Sequence, residues 1–173
     1  MTSTHYPAWV PGMDITGQRL RDGLPQYVIK DSSIAMTSST TYKDDEELVY
    51  ALVANAIYEP EFILAPGGST TGDIKTRWSV PSGATGFRWC TGLGSTATSR
   101  DNAAAIKMAV HAFSSDCVYG TVSTTSVGAA REIGTITTGA TAGNLRLQWA
   151  QNTSDATGSE ILAGSYLRIR RIG

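Results

Sequence analysis

Alternation of apolar and polar positions dominates the chain. Between Asn144 and Arg171 two strand-like runs flank a polar loop. In the first, Leu145, Leu147 and Trp149 alternate with Arg146, Gln148 and Ala150; in the second, Leu167 and Ile169 alternate with Tyr166, Arg168 and Arg170. A period of two sends one set of side chains to a buried face and the other toward water. Asn152, Thr153, Ser154, Asp155, Thr157 and Gly158 between the runs are turn formers. Ile74, Trp78 and Val80 alternate in the same way with Lys75, Arg77 and Ser79, and after a turn at Pro81-Ser82-Gly83, Phe87 and Trp89 alternate with Arg88 and Cys90.

Further strands are expected at 27–30, weakly at 34–36, and at 118–124, 131–138, 145–151 and 166–172. Glu47 to Val53 is apolar nearly throughout and reads as a strand buried on both faces. Ala54-Asn55-Ala56 then turns the chain, and 57–65 returns, so these two runs are expected to form a hairpin. Pro60 within the return run predicts an edge or a bulge, and Gly134, where alternation slips between Ile133 and Ile136, predicts another bulge. Residues 103–113 fit both helical and strand spacing, and the all-β context favours a strand. Roughly eight to ten strands with turns about every 8 to 12 residues predict an all-β fold, an antiparallel β-sandwich or barrel. Two sheets of such strands would make a jelly roll.

Residues 1–25 break the pattern. Pro7, Pro11 and Pro25, with Gly12, Gly17 and Gly23, punctuate them. Asp14 or Thr16 would cap one short helix over 17–22. The apolar residues Tyr6, Trp9, Val10, Met13, Ile15 and Leu20 show no alternation. The stretch reads as an extended N-terminal arm on a head domain of residues 26–173. Its apolar side chains would dock either on a neighbouring subunit or on the head itself.

The 173 residues suit one domain with a core of its own. Charged residues make up 17%, against about 25% in an ordinary domain; Ser, Thr and Gly fill the gap. Net charge is −1, so no basic field exists to hold a phosphate backbone, and nucleic acid is not an expected partner. No run approaches the roughly 18 apolar residues of a membrane helix, and the first residues lack the basic start and apolar core of a secretion signal. Cys90 and Cys117 lie in apolar strand-like stretches. Two buried free thiols are the favoured reading, and a disulfide would need close Cα atoms.

Candidate chemistry is thin. His111 has no Cys or second His at a metal-ligand spacing, which predicts a surface or partly packed histidine. His5 lies in the arm. Asp44-Asp45-Glu46-Glu47 lacks the spaced ligands of a calcium loop and reads as a solvated loop opening a strand. Gly92-Leu93-Gly94 has no following Lys-Ser/Thr and no βαβ setting. Arg168, Arg170 and Arg171 would meet acidic groups of a partner or form the outward face of a last strand. Tyr58, Trp78, Trp89 and Trp149 would line a sugar platform or pack in a core; parity favours the core for Trp78 and Trp149. No catalytic residue, metal or cofactor is expected, and the chain is read as a non-enzyme.

Several segments resemble small β-domain virion structural proteins of tailed bacteriophages, in particular those of actinobacterial phages. The phrases are ITGQRLRDGLPQYVIKDS (15–32), DDEELVYALVANAIYEPEFIL (44–64), DIKTRWSVPSGATGFRW (73–89) and GTITTGATAGNLRLQWAQNTSDATGSEILAGSYLRIRR (134–171). Of these, LQWAQNTSDAT followed by AGSYLR is the most specific. The resemblance implies a homotrimer of jelly-roll-like domains serving as a capsid decoration (cement) or head-fibre protein. The arm would anchor it to the major capsid protein or a tail protein at the virion surface, after synthesis in the host cytoplasm. A minor tail protein and a host-receptor or glycan-binding tip are the alternatives. No catalytic residue is carried over.

Overall fold

Strand-forming runs separated by turn residues leave the backbone one economical way to satisfy its N–H and C=O groups, which is to pair into sheets. A computed structural model describes residues 10–97, 99, 101 and 105–173 of the chain. They form one short helix, α1 (Gly17–Asp22), and thirteen strands: β1 (Gln26–Ile29), β2 (Ile34–Met36), β3 (Lys43–Leu52), β4 (Ile57–Leu64), β5 (Pro66–Gly67), β6 (Ile74–Ser79), β7 (Thr85–Leu93), β8 (Ile106–His111), β9 (Cys117–Tyr119), β10 (Ala130–Thr137), β11 (Gly143–Gln151), β12 (Ser159–Ile161) and β13 (Tyr166–Arg171). Residues 106–111 are indeed a strand. β5 and β12 fall in stretches that read as loops.

The sheets run β1-β13-β4-β10-β7-β8, β3-β11-β6-β9 and, as a small flap, β2-β12-β5. All pairings are antiparallel. The first four strands of the large sheet and the four of the second wind as a jelly roll. The pairs β1·β13, β3·β11, β4·β10 and β6·β9 nest, and the chain changes sheet at every link except β6 to β9. In that one link the hairpin β7–β8 is inserted, and it extends the large sheet beyond β10.

The nesting overturns the expected hairpin of 47–53 with 57–65. β3 pairs with β11, whereas β4 pairs with β10 and β13 in the other sheet. Asn55, at φ +51°, turns a corner between sheets, as an Asn tolerates. Thr138 pins that corner by donating to the Val53 carbonyl (2.8 Å) and accepting from the Ala56 N–H (2.9 Å). Nor is β3 buried on both faces. Leu48 and Leu52 are buried, Val49 and Tyr50 half-buried and Ala51 exposed.

Pro60 is not at an edge, since β4 lies between β13 and β10. The β10 ladder pairs Ile133 with Glu61 and Ile136 with Tyr58 without pairing Pro60, so the missing N–H costs one local interruption. Gly134 is not a bulge, because its register with β7 is continuous. A Cβ there would stand 2.5 Å from the Phe87 carbonyl oxygen and 3.0 Å from the Trp78 ring, so close packing demands the glycine. Alternation along β10 never slips: Ala130, Glu132, Gly134 and Ile136 all point inward.

The core lies between the two large sheets. Leu145, Leu147 and Trp149 of β11, Leu167 and Ile169 of β13, Ile74 and Trp78 of β6, and Phe62 of β4 are essentially fully buried. The parity expected for these strands holds. Trp78 meets Phe62 with ring centroids 5.2 Å apart and stacks on Phe113 at 6.0 Å.

Candidate interaction surface

Parity inverts on the inserted hairpin. Along β7 the inward positions are Arg88 and Cys90, both fully buried, while Phe87 (40% exposed) and Trp89 (41%) face out. On β8 the outward set is Ile106 (69%), Met108 (80%) and Val110 (57%). Cross-strand register gathers these side chains. Ile133 of β10, Trp89 and Val110 form one row, Thr91 and Met108 the next, and Leu93 and Ile106 a third. Phe87 packs edge-on against Trp89 at 4.5 Å. β8 ends its sheet, so among the described strands none pairs with its far edge. A contiguous apolar surface beside an open strand edge marks an interaction site or an aggregation hazard.

The other half of the same sheet face is charged. Glu61 of β4 holds Arg131 of β10 and Arg168 of β13, and Glu59 takes Arg170 at 3.0 Å. Arg171 donates to the Gly173 carbonyl at 2.9 Å. The C-terminal arginines are thus engaged within their own chain. The outer surface divides into an ion-paired charged half on β4–β13, which Arg131 of β10 joins, and an apolar half on β7–β8, which Ile133 of β10 joins.

Why Arg88 faces inward is plain from its partners. Its Nη1 donates to Glu132 Oε2 (2.5 Å) and Thr76 Oγ1 (3.2 Å), and its Nη2 to the carbonyls of Thr76 (2.8 Å) and Ser115 (2.6 Å). Glu132 also accepts from Thr76 Oγ1, from Trp78 Nε1 (2.6 Å) and from Tyr119 Oη (3.0 Å). Burial alone would lower the Arg88 pKa, but the adjacent Glu132 carboxylate outweighs it and the net shift is upward. Such a pair is tolerable in a core only when most of its polar atoms find partners; here both sheets supply them for the two Nη groups and the carboxylate, while Arg88 Nε is buried without one.

A second buried ion pair corrects the reading of the acidic run as a solvated loop. Asp44 to Glu47 lie inside β3. Lys30 and Asp45 are both buried, with Nζ to Oδ2 at 2.9 Å, and Glu47 joins at 2.7 Å. Asp45 also accepts the indole N–H of Trp149 at 3.3 Å, while Asp44 holds Arg146 (2.8 Å) and Gln148 (2.5 Å). Of the four, Glu46 alone is exposed.

Sequence spacing concealed one further group. The donor atoms of Cys90, His111 and Cys117 all lie within 4.8 Å of one another. Both cysteines are free and fully buried, as expected. His111 is half-buried, as expected, but its Nε2 is buried with no hydrogen-bond partner. Separations of 21 and 6 residues match no ligand motif, and only the facing of β7, β8 and β9 brings the three together.

Of the arm residues singled out, Tyr6 and Trp9 lie outside the described residues. Val10, Ile15 and Leu20 are exposed, and Met13 is half-buried. The helix spans 17–22 as expected. Gly23 and Pro25 follow it, and the Gln26 amide donates to the carbonyls of Arg21 and Leu24 at 3.1 Å each. Tyr58, Trp78 and Trp149 are core residues, so of the four candidate platform aromatics Trp89 alone faces solvent.

No family model matches the chain, and no curated protein is similar to it. A solved structure of the infectious bursal disease virus Gx strain is similar at 9% identity, over 86% of this chain and 41% of that one, with a TM-score of 0.14. The chain spans less than half the length of that neighbour, and so low a score carries no argument about fold or function.

Proposed function

We propose that the protein is a structural virion protein of a tailed phage, a homotrimeric capsid decoration or head-fibre protein held to the major capsid protein, or to a tail protein, through residues 1–25. The observation that carries the self-assembly is the outer face of the inserted hairpin, where Phe87, Trp89, Ile106, Met108 and Val110 stand in solvent around an open strand edge. A further copy of the chain is the partner committed to. The charged half of the sheet is ion-paired within the chain through Glu59 and Glu61, whereas the apolar half has no such internal partner among the described residues, so a matching apolar surface is what it fits. The low charged fraction supports the same reading, since interface cores are depleted in charge. The virion assignment is supported by the resemblance of segments 15–32, 44–64, 73–89 and 134–171. The jelly roll is shared by viral capsid and lectin domains and by cupins, an analogy that leaves function to the site.

Sedimentation of the purified chain tests the assembly. A trimer at micromolar concentration that Met108→Lys converts to a folded monomer supports it; a stable wild-type monomer overturns it. Deletion of residues 1–24 should leave a folded head that no longer joins particles, and undiminished occupancy of the truncated chain would remove the arm as anchor.

A second reading, a glycan-binding or host-receptor tip, is favoured by one observation, the exposed Phe87–Trp89 pair. A glycan array separates the two. A hit lost in Trp89→Ala with the oligomeric state unchanged would select the tip.

A further inference from the structure

The two sheets of the sandwich end on the same side in two edge strands, β8 and β9. We propose that Cys90, His111 and Cys117 form a binding site for a thiophilic divalent metal ion of the Zn²⁺ class, which staples the sheets together at that open edge. Cys90 and His111 belong to the large sheet and Cys117 to the smaller one, so an ion held by all three crosses the gap.

Donor set, placement and charge all fit. Thiolate sulfur with imidazole nitrogen is the ligand chemistry that selects Zn²⁺ over oxygen-loving ions such as Mg²⁺ and Ca²⁺. The three donor atoms are already within 4.8 Å of one another, so gathering them around one ion needs small side-chain movements and no backbone change. One independent feature points to a ligand: the His111 Nε2 is buried and unpartnered, a state that buried polar atoms rarely keep.

Binding balances simply. A divalent ion replaces the two thiol protons, which pass to solvent, and a neutral imidazole completes a centre of zero net charge. The nearby Arg88–Glu132 pair is also neutral as a unit, so no uncompensated charge is added to the core. His111 is the partly exposed member and marks the side from which the ion enters. Water fills the fourth tetrahedral position, giving three protein ligands and one open site.

Co²⁺ titration of the reduced full-length chain tests the site. One Co²⁺ per chain is expected, with visible d–d absorption of a tetrahedral centre and near-ultraviolet sulfur-to-metal charge transfer, both bleached by Zn²⁺. Cys117→Ala should roughly halve the charge-transfer intensity per bound ion, and His111→Ala should weaken binding by about tenfold or more. His111 is on an edge strand and half-buried, so its variant keeps the fold and decides the matter even if the cysteine variant does not fold. Two results would overturn the proposal. One is the absence of thiolate bands with both thiols reduced and the far-ultraviolet spectrum native. The other is binding by His111→Ala as tight as by wild type. Neither depends on the oligomer or on the virion assignment.

Discussion

The jelly-roll frame and the hairpin inserted into it treat their side chains in opposite ways. On β6, β11 and β13 apolar residues are inside; of the charged residues outside, Arg146, Arg168 and Arg170 are ion-paired with neighbouring strands, and Lys75 and Arg77 lie over the Tyr42 ring. On β7 the guanidinium of Arg88 and the thiol of Cys90 are inside, while two aromatics are outside. The frame exposes Tyr27 and Ile29 on its edge strand β1 and Ile57 on β4. The hairpin gathers five large apolar side chains in solvent, Phe87, Trp89, Ile106, Met108 and Val110, and carries two of the three proposed metal ligands. Burial follows the available partners: Arg88 is inside because Glu132, Thr76 and Ser115 accept from its two Nη groups there, and parity then drives Phe87 and Trp89 out.

Two tryptophans give the sharpest contrast. Trp149 is 1% exposed, and Trp149→Ala should cost about 3–5 kcal/mol, enough to threaten a domain of ordinary stability. Trp89→Ala should cost about 1 kcal/mol or less in the isolated subunit, the value of its contact with Phe87, yet weaken self-association. Chemical denaturation beside sedimentation reads both. A Trp149→Ala protein as stable as wild type would break the comparison from the side of the frame.

Arg88→Ala should rank with Trp149→Ala, at about 3–5 kcal/mol, because it strands the buried Glu132 carboxylate. Arg88→Met combined with Glu132→Gln should recover much of that loss in the same unfolding measurement. If the single variant is nearly neutral, the inversion of β7 has another cause.

Met108→Lys should move unfolding free energy by no more than about 0.5 kcal/mol while abolishing the oligomer. A thermal unfolding midpoint that stops depending on protein concentration is the second signature. Loss of the fold instead would place Met108 in packing that its exposure denies.

The smallest effect is a pH dependence of the frame. Burial alone would lower the Lys30 pKa, but hydrogen bonds to Glu47 and Asp45 outweigh it, and the folded value stands above the ordinary 10.5. A group raised on folding contributes stability that is complete below its unfolded value and lost as pH climbs through the folded one. Stability should therefore fall on the alkaline side of 10.5, with a shallower fall in Lys30→Met. Asp44, held low by Gln148 and then Arg146, works in the opposite sense. Its contribution is present above 3.8 and lost as pH drops through its depressed folded value. Equilibrium unfolding at a series of pH values measures both limbs.

The sequence alone determined the class and most strand positions, because a period of two is local and Leu145, Leu147, Trp149, Leu167 and Ile169 declare it. The short helix at 17–22 was legible too, from Asp14 or Thr16 ahead of it and Gly23 behind. Tertiary structure decided the rest. Residues 47–53 and 57–65 look like a hairpin until the sheet corner at Asn55 sends them to opposite layers. Phe87 and Trp89 look like core until Glu132, 44 residues beyond Arg88, takes the guanidinium inward. The acidic run looks solvated until Lys30 reaches Asp45 and Glu47. Cys90, His111 and Cys117 have no motif until three strands from two sheets converge. For Arg88 and Lys30 the deciding energy is a buried polar group finding its partner, and in every case the group that decides is distant in sequence and close only in the fold.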